Sequence, residues 1–216
     1  MAELIRGLQA ERVRTNLERV RREIAAAGRA PDDVEILAAV KYVAADELGV
    51  LAEAGIGFVG ENRAQDLVAK ADAHPGAFTW DFIGQLQSRK VRQILPYVRY
   101  IQSVASDSAL KQLERHGTAE TQIMIEVNVA GEGSKGGIAP DDLGSFIGRC
   151  PVTVVGLMTM PPFAERPDAS RPYFARLREL AQAHGLNHLS MGTSQDYVVA
   201  VEEGATIVRL GTSLYC

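Results

Sequence analysis

The chain is short of several things. Its 216 residues include two cysteines, one tryptophan and only 6% aromatic side chains. Cys150 and Cys216 are too few for a disulfide framework and lack a metal-ligand spacing, which excludes a disulfide-stapled secreted domain or zinc module and favours a reducing compartment. Neither charge dominates: 23 Lys+Arg stand against 27 Asp+Glu, a net charge of -4. That balance leaves no electrostatic footprint for nucleic acid or an anionic membrane. No run approaches the roughly 18 apolar residues of a membrane span. The N-terminal stretch MAELIRGLQAERVRTNLERVRREI is charged throughout, where a signal peptide would be apolar. The expectation is a cytoplasmic protein with neither nucleic acid nor membrane as partner.

What is present, 46% apolar and 23% charged side chains, suffices for one sizeable core. Leu4, Leu8, Val13, Leu17, Val20 and Ile24 recur at spacings of three to five, which predicts an amphipathic helix over 3–27, stopped by Gly28. Its arginines (Arg12, Arg14, Arg19, Arg21, Arg22) are interrupted by Glu11, Glu18 and Glu23, the pattern of a solvated, salt-bridged face. Beyond it, short β-rich apolar runs alternate with helical patterns. The runs begin at Glu35, Gly57, Trp80, Tyr100, Thr121, Val152, His188 and Ala205, the last reading ATIVRLGTSLY to Tyr215.

Eight strands with seven intervening helices in this length fit a closed (β/α)8 TIM barrel better than an open sheet. The expectation is a single domain over 1–216, with an extra N-terminal helix in residues 1–28 packing on the barrel. No sequence follows the eighth strand to form an outer helix there, and the N-terminal helix is expected to cover that gap.

Of five lysines, Lys70, Lys90, Lys111 and Lys135 fall in helical or loop patterns where solvation is easy. Lys41 ends the apolar run ILAAV, where a parallel strand is buried on both faces. Desolvation favours the neutral amine, the form that attacks an aldehyde. A strand-end lysine reaching out to solvent is the equally open alternative.

The loops after strands seven and eight of such a barrel commonly bind phosphate. Here SMGTS (Ser190, Met191, Gly192, Thr193, Ser194) precedes a helix expected to open at Gln195, and Gly211, Thr212 and Ser213 end the eighth run. Both supply hydroxyls, a permissive Gly and main-chain N–H groups. Thr193 followed by Asp196 also has the pattern of a helix cap. Arg209, inside IVRLG, needs an acceptor: either an acid such as Glu61 or Glu126, or a ring nitrogen of a cofactor. An amine, a phosphate cradle and an arginine near a ring nitrogen together describe a pyridoxal phosphate site.

The motifs AVK at Lys41, FVGEN at Phe58 to Asn62, FIGQLQSRK at Phe82 to Lys90, GEGSKGG at Gly131 to Gly137, VVGLMTM at Val154 to Met160, SMGTSQDY and VRLGTSLY run across nearly the whole chain. In that order they resemble the pyridoxal phosphate homeostasis protein family, the alanine racemase N-terminal-domain-like proteins. The resemblance implies a (β/α)8 barrel holding pyridoxal 5′-phosphate as a Schiff base on Lys41. It places Asn62 and Met158 near the ring and Arg209 at the pyridine nitrogen. Ser190, Gly192, Thr193, Ser194, Gly211 and Thr212 then surround the phosphate, with Met191 also counted among the cofactor-binding residues. The family usually has Ser before the lysine and Lys-Pro shortly after it, where this chain has Val40, Tyr42, Val43 and Ala44, and a His where it has Gln85.

Two function classes follow. The first is a carrier that stores, buffers or delivers the cofactor without robust catalysis, with pyridoxal phosphate-dependent apo-enzymes as candidate partners. Its support is a cofactor set without the second domain that racemases of related fold use. The alternative is a racemase-like enzyme acting on amino acids; a cofactor-free Schiff-base lyase on phosphorylated sugars is a weaker third. Arginine at the pyridine nitrogen would leave it largely unprotonated and make carbanion chemistry slow. Glu61 is the carboxylate expected near the cofactor as an ion-pair partner. Trp80 and Phe82 read as packing residues and Cys150 as an ordinary thiol. His74, His116, His184 and His188 fall at helix ends or strand starts, away from the expected site.

Overall fold

The β-branched runs become eight parallel strands in a computed structural model that describes residues 4–133 and 136–216. They are β1 (Glu35–Ala39), β2 (Phe58–Glu61), β3 (Thr79–Phe82), β4 (Val98–Val104), β5 (Gln122–Glu126), β6 (Thr153–Met158), β7 (His188–Thr193) and β8 (Ile207–Leu210). Each pairs with its successor, and β8 returns to β1 with Leu37 opposite Arg209, so the sheet closes into a barrel. The helices are α1 (Ala10–Ala26), α2 (Leu48–Glu53), α3 (Ala64–Ala73), α4 (Val91–Ile94), α5 (Asp107–His116), α6 (Leu143–Ile147), α7 (Arg171–Ala183), α8 (Tyr197–Glu202) and α9 (Thr212–Tyr215). The architecture is the (β/α)8 barrel. No helix among the described residues is long and apolar enough to cross a membrane.

Period-two alternation sorts each strand into two apolar sets. Ala38, Val59, Ile101, Ile123, Leu157 and Val208 join the main core under the helices. Leu37, Tyr100, Met124, Met158 and Ile207 form a separate buried cluster that fills the barrel lumen. The lumen leaves no room at Gly60, where a Cβ would meet Leu37 Cδ2 at 2.7 Å and Ile83 Cδ1 at 2.8 Å.

Two boundaries differ from the sequence expectation. The first helix starts at Ala10, not residue 3, and Leu4 and Leu8 lie outside it. Gly7 adopts a positive φ of 72°, which interrupts helical continuation. The main-chain N–H groups of Gly7 and Leu8 donate to the Glu47 carboxylate at 2.7 and 3.0 Å, and Ile5 bridges Val43. At the other end β8 stops at Leu210, and the residues expected to prolong it form the helical turn α9. Asn16 of α1 donates to the Leu214 and Cys216 carbonyls, and Arg19 to that of Ser213, so α1 ties down the turn that follows β8.

Helix α1 packs on α2, α8 and α9, burying Val13, Leu17, Val20 and Ile24. At about 1.5–3 kcal/mol per buried side chain, this contact rivals the 5–15 kcal/mol net stability of a typical fold. Deleting residues 1–27 is therefore expected to give an aggregating chain without a cooperative thermal transition. A soluble fragment that melts as sharply as the parent would contradict this role.

Candidate functional site

A cavity of about 550 Å³ opens at the C-terminal ends of the strands. Lys41 and Asn62 form one side, just beyond β1 and β2; Thr193, Ser194, Gly211 and Thr212 form the other, after β7 and β8. Met158 and Arg209 also line it. Eight of the eleven expected site residues are thus brought together. Ser190, Met191 and Gly192 do not line the cavity: all three are buried behind it.

Their burial has separate causes. Met191 packs in the main core. Gly192, at φ 91°, lies against α8, where a Cβ would sit 2.6 Å from Ala200 Cβ and 2.9 Å from Tyr197 Cα. Only glycine fits there, and the close approach seats α8 beneath the loop. Ser190 belongs to a buried polar chain through the lumen, described below.

Lys41 corrects the burial argument. Strand β1 ends at Ala39 and the chain turns at Lys41–Tyr42, so the lysine is exposed at the mouth, its Nζ 4.8 Å from the Tyr42 ring centroid. The buried lysine is Lys70, which the helical pattern assigned to solvent. Its side chain is 8% exposed, and Nζ donates to Glu61 Oε2 at 2.6 Å and to the Val40 carbonyl at 2.7 Å. Glu61 Oε1 in turn accepts from the Asn62 main-chain N–H at 2.6 Å. One buried ion pair therefore clamps the backbone beside both Lys41 and Asn62. Glu61 is an ion-pair partner as expected, but of Lys70 and not of Arg209.

The loop after β7 reverses the expected cap. Asp196 Oδ1 accepts from the Thr193 N–H (2.8 Å) and hydroxyl (3.1 Å), and α8 begins at Tyr197, not Gln195. The Ser194 hydroxyl accepts from the N–H groups of Gly211 (3.1 Å) and Ser213 (3.2 Å), joining the two loops. Thr212 is exposed and lines the cavity, and its hydroxyl has no partner among the described residues.

Arg209 is buried in the cavity floor. Nη1 donates to the Ser190 carbonyl (2.8 Å) and hydroxyl (2.5 Å), and Nη2 to the Thr159 carbonyl (2.8 Å) and Met160 Sδ (2.9 Å). Among the described residues nothing accepts from its Nε–H, which leaves one donor for a ligand. Burial pushes its pKa down to about 10, against the fields of Glu126 and Asp196, so it remains a cation at neutral pH. Burial likewise pushes the Glu126 carboxyl above its usual range, against the field of Arg209.

Behind Arg209 the polar chain continues. The Ser190 hydroxyl donates to Gln102 Oε1 (2.6 Å), and Gln102 Nε2 donates to Asp81 Oδ2 (2.7 Å). Arg99 bridges Asp81 to Glu35, reaching Asp81 Oδ2 at 2.9 Å and the two Glu35 oxygens at 2.6 and 2.7 Å. Burial raises the Asp81 pKa and the Arg99 contact opposes it. With Arg99, Gln102 and the Tyr100 N–H all donating, Asp81 is an acceptor. It therefore fixes the Gln102 amide, which fixes the Ser190 proton, which leaves the Ser190 oxygen free to accept from Arg209.

Sequence reasoning missed this chain because lone polar residues inside apolar runs carry no period of their own. It also missed Tyr215, whose hydroxyl donates to the Ala39 carbonyl at 3.2 Å and whose pKa burial pushes far up. Ile5, Tyr42, Ile83 and Met160 complete the apolar part of the cavity lining. Trp80 and Phe82 are buried as expected. The Cys150 thiol is pushed up to about 11 by burial, against the field of Arg149, and lies away from the cavity. Among the described residues no group of three or more His, Cys, Asp or Glu could hold a metal. Lys135 lies outside the described residues.

The family model for the alanine racemase N-terminal domain matches residues 8–216. Proteins named pyridoxal phosphate homeostasis protein from Aquifex aeolicus and Pseudomonas aeruginosa are each 38% identical to the chain. The first match covers 95% of this chain and 96% of the relative, the second 95% and 94%. The chain belongs to the pyridoxal phosphate homeostasis protein family. The solved structure of PipY of Synechococcus elongatus PCC7942, with PLP bound, superposes with a TM-score of 0.79 at 28% identity, covering 94% of this chain and all of that one. Gln85 is exposed at the cavity rim.

The Lys70–Glu61 pair supports a measurable prediction. Lys70→Met leaves the Glu61 carboxylate buried without its cation, a change of about 3–5 kcal/mol. For a chain of this length that is a fall in Tm of roughly 6–20 °C, at about 2–4 °C per kcal/mol. Differential scanning calorimetry on Lys70→Met checks it, and an unchanged Tm would show that the pair holds nothing in place.

Proposed function

We propose that this chain binds pyridoxal 5′-phosphate in the C-terminal cavity, holds it through a Schiff base on Lys41, and stores, buffers or delivers it without robust catalysis. One juxtaposition carries the reading. Lys41, the one lysine among the described residues lining the cavity, faces across it the hydroxyl-bearing loops after β7 and β8, with Arg209 at the base. The relatives named for pyridoxal phosphate homeostasis and the PLP-bound PipY support the same ligand.

The residues present fit that ligand. The cavity volume admits a substituted pyridine, and its mixed lining of apolar side chains and a few polar groups is that of a small-molecule site. The cofactor would bring an aldehyde, which condenses with an amine and releases water. Thr193, Ser194, Gly211 and Thr212 would hold the phosphate, and Arg209 would offer Nε–H to the ring nitrogen. Asn62 Oδ1 is buried with no hydrogen-bond partner among the described residues, an acceptor that a ligand hydroxyl would satisfy.

Lys41 is exposed, so its reactivity does not come from desolvation. It comes from anchoring: phosphate and ring contacts hold the aldehyde beside Nζ and raise its effective concentration. An amine open to water also suits reversible exchange, since the bond can be hydrolysed where it is formed. The directional chain from Asp81 through Gln102 and Ser190 keeps Arg209 in one orientation as a cation. A cationic donor disfavours protonation of the ring nitrogen and so weakens the ring as an electron sink.

The purified protein is expected to show the visible absorbance of a protein-bound PLP Schiff base, with borohydride fixing the cofactor to Lys41. Lys41→Ala should abolish both; a variant retaining the band would place the bond elsewhere. Incubation with alanine or serine in deuterated water separates carrier from racemase-like enzyme. Cα deuteration no faster than with free PLP fits the carrier, and rapid exchange fits the enzyme.

A further inference from the structure

A second cavity of about 540 Å³ adjoins the first and shares Asn62 and Gln85 with it. Its walls come from the start of α3, the loop after β3 and α4. Its chemistry is of the opposite kind. Among the described residues its apolar lining is Ala64 and Phe82 alone; the rest are amides and the cations Arg63, Arg89 and Lys90. Among the described residues no carboxylate lines it. In a chain of net charge -4 such a cluster is not an average patch of surface.

The cations are poorly neutralised. Among the described residues Arg89 contacts only the Gln87 amide oxygen, at 3.2 and 3.3 Å, and Lys90 only Gln93 Oε1, at 3.2 Å. Arg63 reaches Asp66, at 3.6 Å and largely exposed. Lys90 is half-buried, and its ammonium has a single neutral acceptor, the Gln93 amide oxygen, among the described residues. An oxyanion with several acceptor oxygens is the ligand that would complement these donors, through charge-assisted bonds from a guanidinium fork and an ammonium.

We infer that this cavity is a second binding site, for a small phosphate-bearing anion, built by Arg63, Arg89 and Lys90 and separated from the first cavity by Asn62 and Gln85. An anion held there stands beside the mouth through which a ligand of the first cavity enters and leaves. The inference does not depend on the first cavity's ligand, because none of the three cations lines that cavity.

The test is a titration of the full-length protein with inorganic phosphate at constant ionic strength, set with chloride and followed by amide chemical shifts. Two separable groups of shifts are expected: one in the loops around Thr193–Ser194 and Gly211–Thr212, the other over 85–93. The double variant Arg89→Ala/Lys90→Ala, checked for folding by its thermal transition, should weaken the second group at least about tenfold. That is the loss of one charge-assisted contact or more, and it should leave the first group intact. The inference is overturned if shifts over 85–93 are absent, if chloride alone reproduces them, or if the double variant keeps its affinity. Loss of only the first group of shifts would count against the reading of the first cavity and leave this one standing.

Discussion

Closure of the sheet between β1 and β8 is the constraint on which the site depends. It sets the two ends of the chain's strand series side by side, with Leu37 opposite Arg209 and Ala38 opposite Leu210. Without that pairing Lys41 and the loops after β7 and β8 would sit on opposite edges of an open sheet. Parallel strands in a barrel all point their C-terminal ends to one face, so the turn at Lys41, the Asn62 position and the Gly211 turn share one mouth. The N-terminal segment takes part in the same closure: α1 fastens the turn after β8 through Asn16 and Arg19, and Ile5 pairs with Val43 beside Lys41.

The barrel interior is not uniformly apolar. Five residues, Leu37, Tyr100, Met124, Met158 and Ile207, fill it by volume, while Asp81, Gln102, Ser190 and Arg209 run a hydrogen-bonded line through it. Buried polar groups are tolerated when they have partners, and here the links from Asp81 to the Arg209 Nη groups each match a donor to an acceptor, leaving the Arg209 Nε–H for the cavity. The consequence is direction. A carboxylate can only accept, and that single fact propagates through an amide and a hydroxyl to orient a guanidinium in the cavity floor. Outside the barrel the Lys70–Glu61 pair does the equivalent work for the opposite wall, with one cation holding the carbonyl before Lys41 and the acid whose other oxygen takes the Asn62 N–H.

Much of this was legible in the residues. Alternation of β-rich runs with helical patterns led to the eight strands, because burial on both faces leaves an uninterrupted apolar run that a polar turn must end. The loops carrying Thr193, Ser194, Gly211 and Thr212 were legible because hydroxyl and glycine clusters at strand ends have few other uses. Boundaries were less so: a period fitted from Leu4 to Ile24 ran on through Gly7, since apolar spacing does not register a positive φ. The turn α9 was read as strand because its residues suit either conformation and only the carbonyl contacts to α1 decide.

The order of elements, the apolar sets of each strand and the presence of an amine, hydroxyl loops and a strand arginine were determined by the amino-acid sequence alone, since they rest on local period and side-chain chemistry. Which lysine is buried was decided only by the tertiary structure. Lys41 follows a buried run yet is carried into solvent by a turn, whereas Lys70 sits in a helical pattern yet is driven inward against Glu61. The reason is that burial is a property of what packs opposite a residue, and for a charged group that partner lies elsewhere in the chain.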